Sequence, residues 1–157
     1  MQTIEKSIEL AVPIEVVYNQ WTQFEDFPKF MEGIQEVRQI DDKRVHWKAK
    51  IAGQEKEWDT EIDQQIADQV ISWHSTSGAS NIGRVRFDKA PGGKTRLTLE
   101  LGYEPEGAVE KVGDALGVFS LRVQGDLNRF KEFIEKRGQE TGGWRGEISG
   151  DGGAARM

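Results

Sequence analysis

The segment VEKVGDALGVFSLRV, residues Val109 to Val123, decides how the rest of the chain is read. Its apolar residues Val109, Val112, Leu116, Phe119 and Val123 recur at helical spacing, and the stripe continues through Leu127, Phe130 and Ile134. A helix of that length with one apolar face needs a partner surface to cover it. The segment also holds Gly113 and Gly117 one turn apart, although each glycine in a helix interior costs roughly 1 kcal/mol relative to alanine. With Ser120 and Gln124 the two glycines form a row of small or polar residues along one flank of the stripe. Three readings follow: close approach of another helix, space for a ligand between helix and sheet, or a local break or kink.

The partner surface lies upstream. From Ile34 to Tyr103 the stretches IQEVRQI, RVHWKAKI, KEWDTEI, QVISWHST, GRVRFDKA and TRLTLELGY read as strands, and DDK, AGQE, IADQ, SGAS and PGGK between them are turn chemistries. Connections this short join antiparallel neighbours. TIEKSIEL, with Ile4, Lys6, Ile8 and Leu10 in alternation, reads as a first strand. Between it and the other six, Pro13 opens a helix carrying Val16, Val17, Gln20, Trp21 and Phe24. A break over Glu25 to Pro28 leads into a short second helix ending near Gly33. Strand, two helices, six strands and a long helix predict an α+β fold, in which the last helix covers the apolar face of an antiparallel sheet.

Strand alternation sorts the side chains, because successive residues point to opposite faces. The inward set is Val45, Trp47, Ala49, Ile51; Trp58, Thr60, Ile62; Ile71, Trp73, Ser75; Asn81, Gly83, Val85, Phe87; and Leu97, Leu99, Leu101, Tyr103. Nearly every titratable strand residue then falls outside, where rows such as Lys48 and Lys50 beside Glu57, Asp59 and Glu61 read as cross-strand charge pairs on a solvated face.

At 157 residues the chain is long enough for one core, placed here at 1–138, and the Gly-rich stretch 139–157 reads as a flexible tail. The net charge of −6, with no dense Lys/Arg block, argues against a nucleic-acid partner. No apolar run approaches the ~18 residues of a membrane span, and the first residues lack a secretory pattern, so a cytoplasmic location is expected. There is no cysteine, which removes disulfides and thiolate chemistry. His46 and His74 point outward on different strands with no ligand spacing, so neither a metal nor a cofactor is expected. P-loop and nucleophile-elbow patterns are absent.

What remains is an apolar lining with a few polar handles, the usual make-up of a small-molecule pocket, although the same residues also read as a plain core. Trp47, Trp58, Trp73, Phe87, Leu99 and Tyr103 form the wall; Phe24, Phe27, Phe30 and Met31 stand at the mouth. Thr60, Ser75, Asn81 and Tyr103 supply the handles, while Gly113, Gly117 and Ser120 border the space from the helix side. If the protein is an enzyme, Tyr103 or Tyr18 is the candidate proton donor. Val118 and Leu121 lie opposite the apolar stripe, so they are either scattered surface residues or covered by Trp144, Ile148 or a partner subunit.

FEDFPKFMEGIQEV, KEWDTEI, ISWHSTSGASNIGRVRF and EPEGAVEKVGDALGVFSLRVQGDLNRFKEFIEKRG, in this order, resemble the polyketide cyclase/dehydrase group of the SRPBCC, or START-like, superfamily. The resemblance covers about residues 3 to 137, and ETGGWRGEI in the tail is similar to bacterial members. It implies a helix-grip fold, a curved antiparallel sheet around the last helix with a deep hydrophobic cavity between them. Members bind lipids, sterols, quinones or polyketides, and some are aromatases or cyclases. The resemblance thus implies binding of a small hydrophobic molecule, with a cyclase or dehydratase as the alternative. A chaperone or interaction module, or a homo-oligomer using Val118 and Leu121, is the further alternative. No cyclase catalytic residues map onto this sequence.

Overall fold

Short turns organise the sheet. In the turn after Gln39, Asp41 Oδ1 accepts the backbone N–H groups of Lys43 and Arg44 at 2.9 and 2.8 Å, closing an Asx turn. In the turn between Ile66 and Val70, Asp68 takes the left-handed conformation, φ +64°, which aspartate tolerates better than most residues. The computed structural model describes residues 2–51, 53–78, 81–103 and 113–148, and the side chains of all of these except 2, 51, 103 and 113–120.

The elements are β1 (Gln2–Leu10), α1 (Ile14–Trp21), a 3-10 helix (Phe24–Lys29), β2 (Ile34–Gln39), β3 (Arg44–Ile51), β4 (Gln54–Ile66), β5 (Val70–Ser77), β6 (Asn81–Ala90), β7 (Lys94–Tyr103) and α2 (Gly113–Arg137). All seven strands form one curled antiparallel sheet in the order β1-β7-β6-β5-β4-β3-β2. Strands β2 to β7 pair in sequence order as hairpins; β1 returns to pair with β7, Ile4 opposite Leu101 and Ile8 opposite Leu97. Helix α2 lays Val123, Leu127, Phe130 and Ile134 into the core, continuing the stripe read from the sequence. Val109 and Val112 lie outside the described residues, as do the side chains of Leu116 and Phe119.

Three sequence expectations change. First, Glu25 to Pro28 is no break: Pro28 sits inside a 3-10 helix over Phe24–Lys29, a short element that continues past the one donor the proline lacks, with Phe30 N–H donating to the Phe27 carbonyl. Second, β4 runs longer than expected and shifts register between Ile62 and Gln64, so that Gln65 pairs with Ile71 and is 1% exposed. A bulge inserts one extra residue and reverses the facing pattern beyond it.

Third, residues 139–148 are fastened to the body where a flexible tail was expected. Thr141 N–H donates to Gln20 Oε1 at 2.9 Å and Thr141 Oγ1 to Asp26 Oδ2 at 2.6 Å. Trp144 N–H donates to Thr22 Oγ1 at 3.1 Å. Arg145 donates to Asn19 Oδ1 at 2.7 Å and pairs with Asp68 at 2.6 Å, its guanidinium 5.4 Å from the centre of the Tyr18 ring. Ile148 exchanges both backbone hydrogen bonds with Gln65 and is 6% exposed. These contacts take Trp144 and Ile148 to α1 and β4, so neither covers Leu121, which is 74% exposed. The Val118 side chain lies outside those described.

Candidate functional site

The inner face of the sheet is covered unevenly. A side chain bordering space large enough for water shows accessible area, so near-zero exposure marks solid packing. Packing of that kind surrounds Leu10, Ile71, Val85, Phe87 and Leu97, beneath α1 and the C-terminal half of α2. Toward the other end the inner positions open: Ile4, Leu101, Trp73, Ser75, Asn81, Trp47 and Trp58 are all half-buried. The apolar residues among them still touch the core, Ile4, Trp47, Trp73 and Leu101 packing against it from the rim.

The cross-strand pair Trp73–Gly83 shapes this end. The Trp73 indole lies flat over Gly83, and a Cβ there would overlap its Cζ2 and Cε2. The absence of a side chain at 83 seats the ring against the sheet, the recurring use of glycine opposite an aromatic residue in a strand pair. On β3 and β4 the paired Trp47 and Trp58 rings stack nearly parallel, 3° apart in plane and 6.0 Å between centroids. Trp47 Nε1–H donates to Thr60 Oγ1 at 2.9 Å, and Thr60 Oγ1 in turn donates to the Val45 carbonyl at 3.5 Å. Ser75 Oγ accepts the Asn81 backbone N–H at 2.9 Å. The hydroxyls of Thr60 and Ser75 are therefore already used to hold the wall in register, and Asn81 is also engaged.

Other expected lining residues belong to the packed part. Phe87 is 3% exposed and meets Tyr18 edge-on at 5.2 Å; Leu99 is buried beside it. Phe24, Phe27 and Phe30 are buried as well, in a chain of ring contacts that joins Trp21, Trp47, Phe130 and Phe133 at 5.1 to 5.7 Å. Phe30 meets Phe130 and Phe133 of α2, whereas Phe27 lies against Trp21 and Trp47 and Phe24 against Phe27, so all three pack into the core rather than stand at a mouth; Met31, next in sequence, is half-buried. Tyr18 is fully buried, and desolvation raises its pKa above the ordinary tyrosine value. Its hydroxyl lies within the packed core near Gln65, not on the open end of the wall. The side chains of Tyr103 and Ser120 fall outside those described, as does the surrounding of Gly113 and Gly117; the α2 backbone runs through Gly117 without a helix break.

A polar clamp not anticipated from sequence holds the turn after the 3-10 helix against α2. Arg129 Nε–H donates to the Phe30 carbonyl at 2.9 Å, Arg122 to the Glu32 carbonyl at 3.0 Å, and Asp126 accepts the Glu32 N–H at 3.1 Å. Gly33, φ +91°, lets the Arg122 guanidinium pass where a Cβ would come within 2.8 Å. Burial raises the Asp126 pKa, against the lowering effect of Arg129 and the backbone donor. The signal was in the sequence as Arg122, Asp126 and Arg129 at i, i+4 and i+7, but their partners are backbone groups, which no pattern announces.

The outer face carries the charges. His46 Nδ1 lies 2.6 Å from Asp59 and its Nε2 2.9 Å from Glu57; His74 Nδ1 lies 2.7 Å from Asp63. Arg84 pairs with Glu100 at 2.7 Å beside an open groove of about 790 Å³ across β1, β7, β6 and β5. Among the described residues no cluster of His, Asp or Glu is arranged to hold a metal ion, and no helix is long and apolar enough to cross a membrane.

Comparison with known proteins agrees with this architecture. Residues 10–132 match the family described as polyketide cyclase / dehydrase and lipid transport. An uncharacterized 17.2 kDa protein of Streptomyces lincolnensis is 46% identical over 149 residues, covering 94% of this chain and 99% of that one. Among solved structures, the Zhui aromatase/cyclase of Streptomyces sp. R1128 superposes with a TM-score of 0.72 at 16% identity, over 91% of this chain and 99% of its own. A START superfamily protein of Mycobacterium smegmatis gives 0.67 at 17% identity, over 86% and 95%. At those identities the two structures speak for the fold alone. The curled sheet wrapped on a C-terminal helix is the helix-grip architecture, and the sequence match over most of its length makes the chain a member of the polyketide cyclase/dehydrase and lipid transport family.

Proposed function

We propose that the protein binds a small hydrophobic molecule between the half-covered end of the sheet and α2, as a carrier or binding protein. The observation that supports this most directly is the gradient of cover along the inner face, from fully packed at Val85 and Ile71 to half-buried at Trp73, Leu101 and Ile4. Three tryptophans there, Trp47, Trp58 and Trp73, offer large rigid apolar surfaces at little cost in conformational entropy. A protein-interaction module would fill this end with its own side chains, which the half-buried rim opposes.

The cyclase reading draws on the family and on the fold shared with an aromatase/cyclase. It finds no support at Tyr18, whose hydroxyl sits in the packed core.

The test uses the full chain and the uncharged dye N-phenyl-1-naphthylamine. Saturable dye fluorescence with energy transfer from tryptophan is expected, together with an apolar molecule of defined mass in native mass spectra of freshly purified protein. Absence of saturable dye uptake up to the dye's solubility limit overturns the proposal. Conversion of an offered polyketide, with release of water, favours the cyclase.

A further inference from the structure

Lys6 stands on the wrong face for a solvated lysine. Its cross-strand partner is Leu99, and paired residues of an antiparallel sheet share a face, so its side chain rises from the inner surface between Ile4 and Ile8. It is half-buried there. At the described inner positions of β1 and β3 to β7 the half-buried charged residues are Lys6 and Lys56, and Lys56, opposite Ala49 on the far side of the sheet, has an interaction of its own.

The neighbours of Lys6 on β1 do not neutralise it. Glu5 and Glu9 point to the outer face and pair there with Arg86 at 3.6 Å and Arg96 at 3.4 Å. Among the described residues the Lys6 ammonium has no hydrogen-bond or ion-pair partner; its backbone alone is engaged, in the β1–β7 ladder. The other polar groups of the wall are spent on one another, Thr60 on Trp47 and Ser75 on Asn81. An anion seated beside this half-buried lysine gains a charge-assisted contact that no described side chain supplies. Nor does a bare cation improve an apolar wall. A lysine stem can cover apolar surface while its head reaches water, but that use calls for no particular ligand.

Resting on the binding function proposed above, we infer that the ligand is an amphiphile with an anionic head group, which Lys6 receives at the β1 margin while the apolar body lies against Leu101 and Trp73. Leu101 is diagonal to Lys6 across the β1–β7 pair, and Trp73 follows through Gly83, so head and body sites are contiguous on one surface. The reading limits the ligand class: a fully apolar molecule leaves the cation unpaired, and a cationic one is repelled.

The test separates this inference from the binding function. Dodecanoate and 1-dodecanol, identical in chain and differing in charge, compete with N-phenyl-1-naphthylamine for the wild-type chain at a pH well above the carboxylic range. Dodecanoate is expected to bind about tenfold more tightly, as a charge-assisted contact in a partly desolvated site allows, with the advantage shrinking as salt rises. Lys6→Met, which keeps the apolar stem, brings the ratio to about one, and Lys6→Arg retains it; circular dichroism verifies that both variants fold. Saturable dye uptake with no preference for dodecanoate, or a preference that survives Lys6→Met, overturns the inference and leaves the binding function standing. No uptake of dye or of either competitor overturns both.

Discussion

Replacing Gly83 by alanine puts a methyl group where the Trp73 indole lies. The new Cβ would overlap Cζ2 and Cε2 and stand 2.9 Å from Cη2, whereas ordinary contact begins at 3.4 Å, so the ring has to leave its seat. Overpacking of this kind costs about 1 to 3 kcal/mol. Alanine recovers about 0.5 to 1 kcal/mol by restricting the unfolded chain, leaving a net loss near 1 kcal/mol. With a urea slope of about 2 kcal/mol per molar, the midpoint falls by about 0.5 M, a shift that circular dichroism resolves. The displaced ring has one direction in which to go, away from the sheet and into the half-covered end. There it occupies the volume assigned to a ligand; losing about 50 Å² of apolar contact is worth about 1.3 kcal/mol, or roughly tenfold in dye affinity. The pair Gly83→Ala and Trp73→Leu tests the cause, because removing the ring removes the clash and the two changes are expected to couple by about 1 kcal/mol. Additive effects, or a Gly83→Ala protein with unchanged midpoint and dye affinity, refute the reasoning.

Ending the chain after Gly138 removes Ile148, Trp144 and the Arg145 contacts. A loss of at least about 2 kcal/mol is expected from the buried Ile148 and the uncovered Gln65 and Tyr18, or about 4 to 8 °C in Tm, and an unchanged Tm shows that the segment does not stay docked. His46 has its pKa raised above the ordinary histidine value, first by the hydrogen bond to Asp59 and then, against desolvation, by Glu57. A raised folded pKa means that the stabilisation is complete below the ordinary value and is lost as pH rises through the folded one. The stability advantage of wild type over His46→Gln is therefore expected to be larger at about pH 5.5 than at about pH 9, and an advantage that grows with pH contradicts the ion-pair assignment.

The meander and its facing pattern were legible because turn residues and period-two alternation are local signals. Trp47, Thr60, Trp73 and Ser75 fall on the inner face that alternation assigns them. The occupation of their polar atoms was not legible: that Trp47 takes Thr60 depends on a β3–β4 register set across the sheet, and that Ser75 takes the Asn81 backbone depends on how the β5–β6 turn closes. The β4 bulge was hidden because IDQQI reads as plain alternation to Gln64, whereas the pairing of Gln65 with Ile71 decides the face. Phe24, Phe27 and Phe30 were assigned to a mouth on composition, but all three are buried, Phe27 against Trp21 and Trp47 and Phe30 against Phe130 of α2. The segment 139–148 was read as loose from its glycines, although four residues between them, Thr141, Trp144, Arg145 and Ile148, supply the anchors. Glycine content reports what a backbone is free to do, and anchoring side chains determine what it does.

The docking of the C-terminal stretch across α1 and β4 has a consequence for the order in which the molecule is made. Its hydrogen bonds to Asn19, Gln20, Thr22 and Asp26 join residues more than one hundred positions apart, as does the contact of Ala11 with Glu135. Hairpins from β2 to β7 can assemble as each strand emerges from the ribosome, but β1 waits for β7, and the Gln65 backbone waits for Ile148. A stalled or prematurely terminated nascent chain would thus present a nearly finished sheet with an uncovered flank, a species that quality-control proteases can tell from the completed protein.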